Sequence, residues 1–442
     1  MVRIKAFSQK LAFVLGMVFL LFMAYLSVSY LEKIFVTTNS YFLRFGVILI
    51  FIFTLLIITR YLLLIFFSLL NSIHRSADEN FKLSHKENVT IIVPCYNEQE
   101  VIVASLKSLI KQKYPHVEIL VIDDGSKDRT YTLAKALEFD DGYRRLKVLS
   151  KPNGGKSRAL NHGIKHARGD LICCVDADSR LDEYAVELLV QHFKDPQIAA
   201  VAGTVSVVNP NNMLTRLQAL EYIEGLNMVR NGQAFLKMVN IILGPIGMFR
   251  RDAIEKVGLY DHDTFAEDCD LTLKLIAEGY KIDFEPDAVA HTEAPEELLQ
   301  LLKQRYRWTR GILQSIKKHS SYLKSFRKNP SISFVMWYML FEAIFWPFMQ
   351  VWGDLFVIFL ALTTGTSQLL LFWWILFTVL DVAGALYCLL LTKEDLGLAR
   401  YAVFYRLFFI TIINISKIFA TLEEWFRIEM SWGTLQRKGR IG

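Results

Sequence analysis

The chain has 442 residues; 53% are hydrophobic, 13% are aromatic, and the mean hydropathy is +0.29. This composition is too apolar for an ordinary soluble protein. The net charge of +6 is modest, and because no soluble basic patch is interleaved with aromatic residues, we expect no nucleic-acid partner. The apolar residues are concentrated at the two ends of the chain, which predicts a membrane protein with a separately folded middle.

The N-terminal part contains two apolar runs, residues 9–31 and 42–70, and each is long enough to cross a bilayer, which needs ~20 residues. No small-residue cleavage site follows the first run, so we expect an anchor and not a signal peptide. Arg3, Lys5 and Lys10 precede it, which places the N-terminus in the cytoplasm. Two crossings return the chain there. The sequence thus predicts a multi-pass protein of the plasma (inner) membrane with a cytoplasmic middle.

Between about residues 75 and 330 short apolar runs alternate with amphipathic stretches. The apolar runs are rich in Val and Ile, as strands buried on both faces of a parallel sheet are; they cover residues 89–93, 119–122, 146–149 and 171–175. The amphipathic stretches predict helices at residues 99–111, 128–139, 155–167 and 182–193. Alternation of this kind predicts an α/β domain with a doubly wound, mostly parallel sheet.

Polar fragments follow three of the predicted strands, at the sheet edge where ligands bind in such domains. Asp176-Ala-Asp178 follows the fourth strand. Two carboxylates that flank a small residue can share one hard cation, and Mg²⁺ and Mn²⁺ prefer oxygen ligands and bridge to phosphate oxygens. Taken alone, the tripeptide is better explained as a strand-end turn with solvated carboxylates.

The fragments after the first and second strands are Pro-Cys-Tyr-Asn-Glu at 94–98 and Asp-Asp-Gly-Ser at 123–126. Asp123 and Asp124 are candidates to accept hydrogen bonds from a nucleobase or ribose, although Asp and Gly also form ordinary turns. Asn-Gly-Gly-Lys at 153–156 opens a predicted helix, where backbone amides and the helix dipole favour a phosphate. It is not a Walker motif, and by itself an ordinary solvated loop explains it better.

Two later fragments carry candidate catalytic groups. Glu267-Asp268 precedes a predicted helix and could cap it; alternatively, Asp268 is the general base that removes a proton from an acceptor hydroxyl. Gln304, Arg307 and Trp308 share one helix face. That helix could simply lie at the membrane interface, with its Trp among the headgroups. The further hypothesis is that this face closes the site, with Gln304 and Arg307 on a diphosphate and Trp308 against a sugar ring.

The C-terminal part begins with a stretch, residues 298–341, that has nine Lys and Arg and no acidic residue, which predicts contact with anionic lipid headgroups. Three candidate spans follow or overlap it, at residues 334–362, 369–391 and 401–422. A full fifth crossing would place the basic C-terminus outside, so either the fifth run is interfacial or re-entrant, or the third conceals a hairpin. Glu342 and Asp354, in the third run, are candidates for a polar path.

Together these fragments resemble glycosyltransferase family 2, and within it the membrane-embedded processive synthases. The Pro-Cys-Tyr-Asn-Glu loop, Asp-Asp-Gly-Ser, Asn-Gly-Gly-Lys, Asp-x-Asp, Glu-Asp and Gln-x-x-Arg-Trp occur in the family's order over residues 88–315. The last motif is the specific one for processive synthases. The likeness is strongest to bacterial synthases that polymerise N-acetylglucosamine. One departure is Ala266, where the family has Thr before Glu-Asp.

The resemblance implies a GT-A domain and a set of residue roles. The uridine of a UDP-sugar would be held by Pro94, Tyr96, Asn97, Glu98, Asp123 and Asp124. Lys156 would face the diphosphate, and Asp176 and Asp178 would hold Mg²⁺ or Mn²⁺, with Asp176 also at the donor. Gly247 would border the acceptor, Asp268 would be the base beside Glu267, and Gln304, Arg307 and Trp308 would lie at the terminal sugar and the diphosphate.

The expected organisation is a membrane region (residues 1–74), a cytosolic GT-A domain (75–295), basic interfacial helices (296–330) and a second membrane region (331–442). The expected activity is inverting, processive transfer from UDP-N-acetylglucosamine to a growing polysaccharide that is exported through the membrane helices. Glucan, hyaluronan or chitin synthesis, single addition to a lipid carrier, and an inactive channel or scaffold are the alternatives. The expected partners are the UDP-sugar, the polysaccharide and the bilayer, and a small accessory membrane subunit is compatible with the resemblance.

Overall fold

The computed structural model describes residues 40–77, 87–364, 367–392, 394–428 and 439–441, with isolated positions between 18 and 36. The first predicted span, residues 9–31, and the basic residues before it lie outside these ranges. The second predicted span is present as helix α1 (Tyr41–Ala77).

The described part of the middle folds around a nine-stranded sheet with the strand order β3-β4-β2-β1-β5-β8-β7-β9-β6. The strands are β1 (Val89–Cys95), β2 (Val117–Asp123), β3 (Phe139–Asp140), β4 (Arg145–Ser150), β5 (Leu171–Cys174), β6 (Ser179–Leu181), β7 (Ile198–Val207), β8 (Gly247–Arg250) and β9 (Lys281–Thr292). The four predicted strands are β1, β2, β4 and β5; they pair in parallel and confirm the doubly wound part of the prediction. Strands β7 and β9 also pair in parallel, whereas β8 runs antiparallel to both β5 and β7.

Helices pack on the faces of this sheet and extend from it towards the apolar helices. They are α2 (Ile102–Ile110), α3 (Thr130–Lys135), α4 (Lys156–His166), α5 (Ala185–Val190), α6 (Met213–Glu221), α7 (Val229–Phe235), α8 (Arg251–Lys256), α9 (Glu267–Ala277) and α10 (Leu298–Lys318). Residues Tyr222–Met228, between α6 and α7, form a π-helical segment. The predicted helices correspond to α2, α3, α4 and α5, each shorter than the sequence pattern suggested.

Close packing of α4 on the sheet fixes the position of one edge of the candidate site. Every residue of β1 and β2 is buried, as expected for strands that are covered on both faces. A Cβ atom at Gly163 of α4 would lie 2.5 Å from Cγ2 of Ile92 in β1, so only glycine permits this approach. The first residue of α4, Lys156, is thereby held at the carboxyl edge of β1.

The C-terminal part consists of α11 (Pro330–Leu340), α12 (Trp346–Thr364), α13 (Ser367–Thr392), α14 (Ala402–Phe404) and α15 (Ile410–Trp425), with π-helical segments at Phe341–Phe345 and Tyr405–Phe409. Among the described residues, three helical stretches are long and apolar enough to cross a membrane: Tyr41–Arg75, Pro330–Thr363 and Trp373–Thr392. The third predicted run is therefore one continuous helical stretch and conceals no hairpin. The fifth run is not among these three stretches, and its helix α15 packs against α10.

A buried ion cluster attaches the end of α1 to the sheet. Nδ1 of His192 lies 2.8 Å from Oδ2 of Asp283, and Nε2 of the same ring lies 2.8 Å from Oε2 of Glu285. Arg75 of α1 lies 2.5 Å from Glu285, and Lys237 lies 2.6 Å from Asp283. Burial by itself lowers the pKa of His192, but hydrogen bonds to the two carboxylates outweigh it and raise the pKa to about 9. We infer that this imidazole is protonated at neutral pH.

This cluster predicts a loss of stability in alkaline solution. Because the pKa of His192 is raised from 6.5 to about 9 on folding, its contribution is complete below pH 6.5 and disappears as the pH rises through 9, an effect on the order of 3 kcal/mol. The thermal midpoint of the detergent-solubilised protein should therefore fall between pH 6.5 and 9.5, and His192→Gln should flatten that fall. His166→Gln, at an exposed histidine, is the control. An unchanged pH dependence in His192→Gln would contradict the assignment.

Candidate active site

Charged side chains from three separate parts of the chain meet at the carboxyl edge of the sheet. Nζ of Lys156, at the start of α4, lies 2.7 Å from Oδ1 of Asp176, which follows β5. The same nitrogen lies 3.0 Å from Oε1 of Glu267, the first residue of α9. One lysine thus bridges two carboxylates that are 91 positions apart in the sequence.

The charge balance of this cluster raises the pKa of its lysine. Partial burial of Lys156 by itself lowers its pKa, but the nearby carboxylates of Asp176, Glu267 and Asp268 raise it well above the ordinary value. The lysine therefore stays protonated over the physiological range. It supplies a fixed positive charge that can face an anionic group as well as the two acids.

The electrostatics of Asp268 suit a general base. Desolvation and the neighbouring charge of Glu267 raise the pKa of Asp268. Lys156 and a hydrogen bond from the backbone N–H of Cys269 lower it, but the raising effects are larger and the pKa is about 7. The Cys269 N–H donates to Oδ1 of Asp268 at 2.7 Å, which fixes the orientation of the carboxylate. A base is most efficient when its pKa lies near the working pH, and here burial beside another acid produces that value.

Several of the predicted site residues line one pocket. It is lined by Pro94, Lys156, Asp176, Gly244, Gly247, Glu267 and Asp268, together with apolar residues of β5, β8 and the segment before β8. Gly247 is the first residue of β8 and pairs with Cys174; a Cβ there would lie 2.3 Å from Cγ2 of Ile242. Gly247 therefore allows the segment before β8 to fold tightly over the pocket.

Asp176 and Asp178 offer the oxygen donors that Mg²⁺ or Mn²⁺ require. Nζ of Lys156 forms an ion pair with Oδ1 of Asp176, so a cation at this carboxylate would have to bind next to the lysine or displace it. A Cβ at Gly244 would lie 2.5 Å from Oδ2 of Asp176 and 2.7 Å from Nζ of Lys156, so glycine at this position permits the close approach of both side chains. Asp178 is largely buried and accepts a hydrogen bond from Ser179 Oγ at 3.2 Å. The carboxylate oxygens of these two residues are the type of donor that fits a divalent cation.

A second group of acids is organised differently. Asp261, Asp263 and Asp270 lie close enough together to suggest a metal site. However, Nζ of Lys318 lies 2.6, 2.8 and 3.1 Å from their oxygen atoms, and Lys274 lies 3.0 Å from Asp261. These lysines neutralise the cluster, which fastens the end of α10 to α9.

Backbone N–H groups of the loop at 153–156 bind the carboxylate of Asp124. The Gly154 N–H donates to Oδ1 of Asp124 at 3.0 Å and the Gly155 N–H donates to Oδ2 at 2.7 Å, while Lys151 forms an ion pair with the same side chain. The backbone amides that the sequence suggested for a phosphate thus bind an acid of the protein itself. Asp124 holds the strand-end loop and the start of α4 together, which positions Lys156.

The loop at 94–98 is fastened to the loop after β2. Asn97 adopts a left-handed backbone conformation with φ of 56°; its N–H donates to Ser126 Oγ at 3.0 Å and its Oδ1 accepts from the Lys127 N–H at 2.8 Å. The Glu98 N–H donates to Thr130 Oγ1 at 2.7 Å. Asp123, at the end of β2, accepts from Ser150 Oγ at 3.0 Å. These bonds build one continuous rim, on which Tyr96 is half-buried.

The predicted face of α10 lies beside the pocket but does not line it. Gln304 is buried and accepts a hydrogen bond from Arg305, which forms an ion pair with Glu221 of α6. The Arg305 guanidinium stacks 4.3 Å from the Trp308 ring centroid, and Trp308 packs against the main core of the sheet. Arg307 is half-buried on the same helix.

Sequence reasoning did not single out two residues of this region, Arg305 and Gly244. Arg305 fixes the Trp308 ring from one side, but its partner Glu221 lies 84 positions away, and no sequence spacing signals that pair. Gly244 lies in Gly-Pro-Ile-Gly at 244–247. The only hint of Gly244 in this stretch is that it lies three positions before Gly247, which the sequence analysis had named as a candidate.

Comparisons with known proteins identify the family that this chain resembles. Residues 90–258 match the family model described as Glycosyl transferase family 2. A poly-beta-1,6-N-acetyl-D-glucosamine synthase of Staphylococcus aureus (strain COL) is 35% identical over 241 residues, which are 54% of this chain and 58% of that protein. The Staphylococcus epidermidis synthase of the same name is 33% identical over 260 residues, 56% and 63% of the two chains. The matched region spans less than two thirds of either relative.

A solved structure shows the same fold. A mannosyltransferase from Pyrobaculum calidifontis, in complex with GDP-mannose and Mn²⁺, superposes with a TM-score of 0.58 over 84% of this chain and 99% of that chain, at 19% identity. At this identity the likeness concerns the fold alone. It agrees with the GT-A architecture expected for the nine-stranded sheet.

The close approach of Asp176 and Lys156 to Gly244 leads to a prediction about metal binding. Gly244→Ala should weaken binding of Mn²⁺ to the purified protein at least about tenfold, because the new Cβ displaces Asp176 and Lys156 from their present positions. Electron paramagnetic resonance of free Mn²⁺ measures this. Gly225→Ala is the matched control, since a Cβ there has only Glu221 Cγ within 4.0 Å. Equal Mn²⁺ affinity of the two variants would contradict the assignment of the site to Asp176.

Proposed function

Because the chain carries a domain of glycosyltransferase family 2, we propose that it is a processive polysaccharide synthase that transfers N-acetylglucosamine from UDP-N-acetylglucosamine to a growing polymer. The observation that carries the proposal is the cluster at the sheet edge, where Lys156 bridges Asp176 and Glu267 beside Asp268. The synthase names of the staphylococcal relatives support the choice of sugar. Glucan, hyaluronan and chitin synthesis are the competing polymer assignments.

The proposed chemistry is a direct displacement. Asp268 takes the proton of an acceptor hydroxyl, the hydroxyl oxygen forms a bond to the anomeric carbon, and the bond from that carbon to the diphosphate oxygen breaks. UDP carries away the electron pair, and the configuration at the anomeric carbon is inverted. No covalent bond between sugar and enzyme forms. The position of Asp268 at the start of α9, among the residues that line the pocket, supports this role.

The leaving diphosphate requires positive charge. Lys156, which stays protonated beside its acids, would face it from the start of α4. Asp176 and Asp178 would hold Mg²⁺ or Mn²⁺, which when bound neutralises charge on phosphate oxygens. Glu267 keeps Lys156 in place through its contact of 3.0 Å, so we assign it a supporting role beside the base.

The rim of the sheet is the proposed uridine site. Pro94, Tyr96, Asn97 and Glu98 would cover the base together with Asp123. Both carboxylate oxygens of Asp124 accept hydrogen bonds from the loop at 153–155. We therefore propose that Asp124 acts on the nucleotide mainly by shaping the loop that leads to Lys156.

Helix α10 is the proposed acceptor side of the site. Trp308, stacked against Arg305, would support the terminal sugar ring of the polymer, because aromatic rings pack well against the apolar faces of sugars. Arg307 would reach the diphosphate. Gln304 is engaged by Arg305, and we propose that it holds the helix face in register.

A buried polar network supports export through the membrane helices. Arg60 of α1 lies 2.5 Å from Glu342, in the π-helical segment before α12. Arg406 lies 2.7 Å from Asp381 of α13 and 3.0 Å from Gln350, which donates to Asp354 at 3.1 Å. Ionisable groups within apolar helices are costly and usually serve transport or catalysis. We propose that these groups adjoin the path of the polymer in a multi-pass inner-membrane protein with its transferase domain in the cytoplasm.

The base assignment predicts a pH profile. Only the carboxylate form of Asp268 can accept the proton, so kcat/KM for the UDP-sugar should fall about tenfold per pH unit below pH 7 and level off above it. Asp268→Asn should abolish transfer, by at least about a thousandfold, while UDP binding measured by calorimetry is retained. Transfer by Asp268→Asn at the wild-type rate would refute this role.

The product assay tests the function as a whole. Membranes containing the protein are given Mg²⁺ or Mn²⁺ and labelled UDP-N-acetylglucosamine or UDP-glucose, and the product is sized. We expect high-molecular-weight polymer from UDP-N-acetylglucosamine alone, and only short products from Trp308→Ala because the polymer end loses its support. Polymer from UDP-glucose would mean a glucan synthase, and a single lipid-linked sugar would refute processive synthesis.

A further inference from the structure

Besides the contacts of Lys318 with Asp261 and Asp263, helix α10 holds the residues directly before Asp268 through the side chain of Gln314. Oε1 of Gln314 accepts a hydrogen bond from the backbone N–H of Phe265 at 3.1 Å, and its Nε2 donates to Oε2 of Glu424 at 3.2 Å. Glu424 lies in the last turn of α15. A single amide group therefore connects the C-terminal helix to a residue three positions before the candidate base.

Helix α10 also touches this segment with its backbone. A Cβ at Gly311 would lie 2.6 Å from both the Cβ and the backbone nitrogen of Ala266 and 2.8 Å from the carbonyl carbon of Phe265. Since no side chain intervenes at Gly311, a displacement of α10 is passed directly to the residues that open α9. Ala266 is the position where the sequence departs from the family resemblance, and its small side chain is part of this contact.

The contact between α10 and α15 depends on a buried ion pair. Nε of Arg310 donates to the same Oε2 atom of Glu424 at 3.0 Å, and its Nη2 donates to the carbonyl oxygen of Ile428 at 2.8 Å. The Arg310 side chain is 4% exposed and that of Glu424 is 15% exposed. Removing one partner of a buried, hydrogen-bonded charge pair leaves the other unsatisfied and is strongly unfavourable. Glu424 therefore binds both Arg310, which joins α10 to α15, and the side-chain amide of Gln314.

We propose that Glu424 is a positioning residue for the general base: by fixing Gln314 and Arg310, it makes the placement of Asp268 depend on the docking of helix α15. The proposal rests on the proposed sugar transfer for its catalytic part. The chemistry would then be assembled only when the C-terminal helix lies on α10. A displacement of about 1 Å at a reacting group is enough to lower a rate by about a hundredfold.

Adjacent glutamates provide a matched test. Glu424→Ala should lower kcat at least about tenfold and leave the KM for the UDP-sugar within about twofold, because the base moves and the uridine rim does not. Glu423→Ala is the control: Glu423 accepts from Tyr306 and lies 3.8 Å from Arg310, but it makes no contact with Gln314 among the contacts described here. Glu424→Gln should restore most of the rate, since both hydrogen bonds end on one oxygen that an amide can supply.

A readout that is independent of activity is the reactivity of Cys269, a buried free thiol next to Asp268. Its alkylation by N-ethylmaleimide, followed by peptide mapping, should become at least about tenfold faster in Glu424→Ala and stay unchanged in Glu423→Ala, because local opening controls access to a buried group. Buried Cys95 is the internal reference. Should Glu424→Ala fail to fold, Gln314→Leu breaks the same link to Phe265 while the Arg310–Glu424 pair keeps α15 docked.

The outcomes separate this inference from the proposed function. If the wild type forms no glycosidic product, sugar transfer is wrong, and Cys269 labelling still decides whether Glu424 positions the segment. If the wild type is active and Glu424→Ala keeps its kcat and its slow labelling of Cys269, the positioning role is refuted. Equal losses in Glu423→Ala and Glu424→Ala, or a joint loss of UDP binding, would also overturn it in favour of general stabilisation.

Discussion

The bridge from Lys156 to Asp176 and Glu267 is the interaction on which the rest of the site depends. Three carboxylates crowded at one sheet edge would repel each other, and the lysine at distances of 2.7 and 3.0 Å offsets that repulsion. The same arrangement leaves Asp268 with a pKa of about 7. Lys156, its two carboxylate partners and the candidate base Asp268 are thus held together by mutual electrostatics, and the loop ordered by Asp124 brings the lysine to its place.

Helix α10 connects this site to the apolar part of the molecule. Arg305 binds Glu221 at one end of the predicted face and Arg310 binds Glu424 at the other, while Gly311 brings the helix backbone onto the residues before the base. Both arginines are almost fully buried, so their partners cannot be lost without a large cost. The helix that the sequence marks as a basic interfacial element is therefore also a rigid connection between the catalytic edge and α15.

In the apolar helices, sequence patterns predict the long helical stretches but not how the C-terminal run packs. Apolar length alone predicted the helices near residues 42–70, 334–362 and 369–391 that are long and apolar enough to cross a bilayer, because crossing requires ~20 apolar residues whatever they contact. The alternatives for the C-terminal run could not be decided that way. Its helix packs against α10, and only tertiary contacts reveal this partner.

The sequence by itself determined the parallel core, the order of the polar fragments at strand ends and the family resemblance, since buried strands and turn residues leave a local signature. Tertiary structure decided the rest. It showed that the Gly154–Gly155 amides bind Asp124, that Gly244 permits the close approach of Asp176, and that Gln314 links Glu424 to the backbone of Phe265. Each of these depends on residues that are distant in the chain, and the distances between such residues are set by packing, which no local pattern encodes.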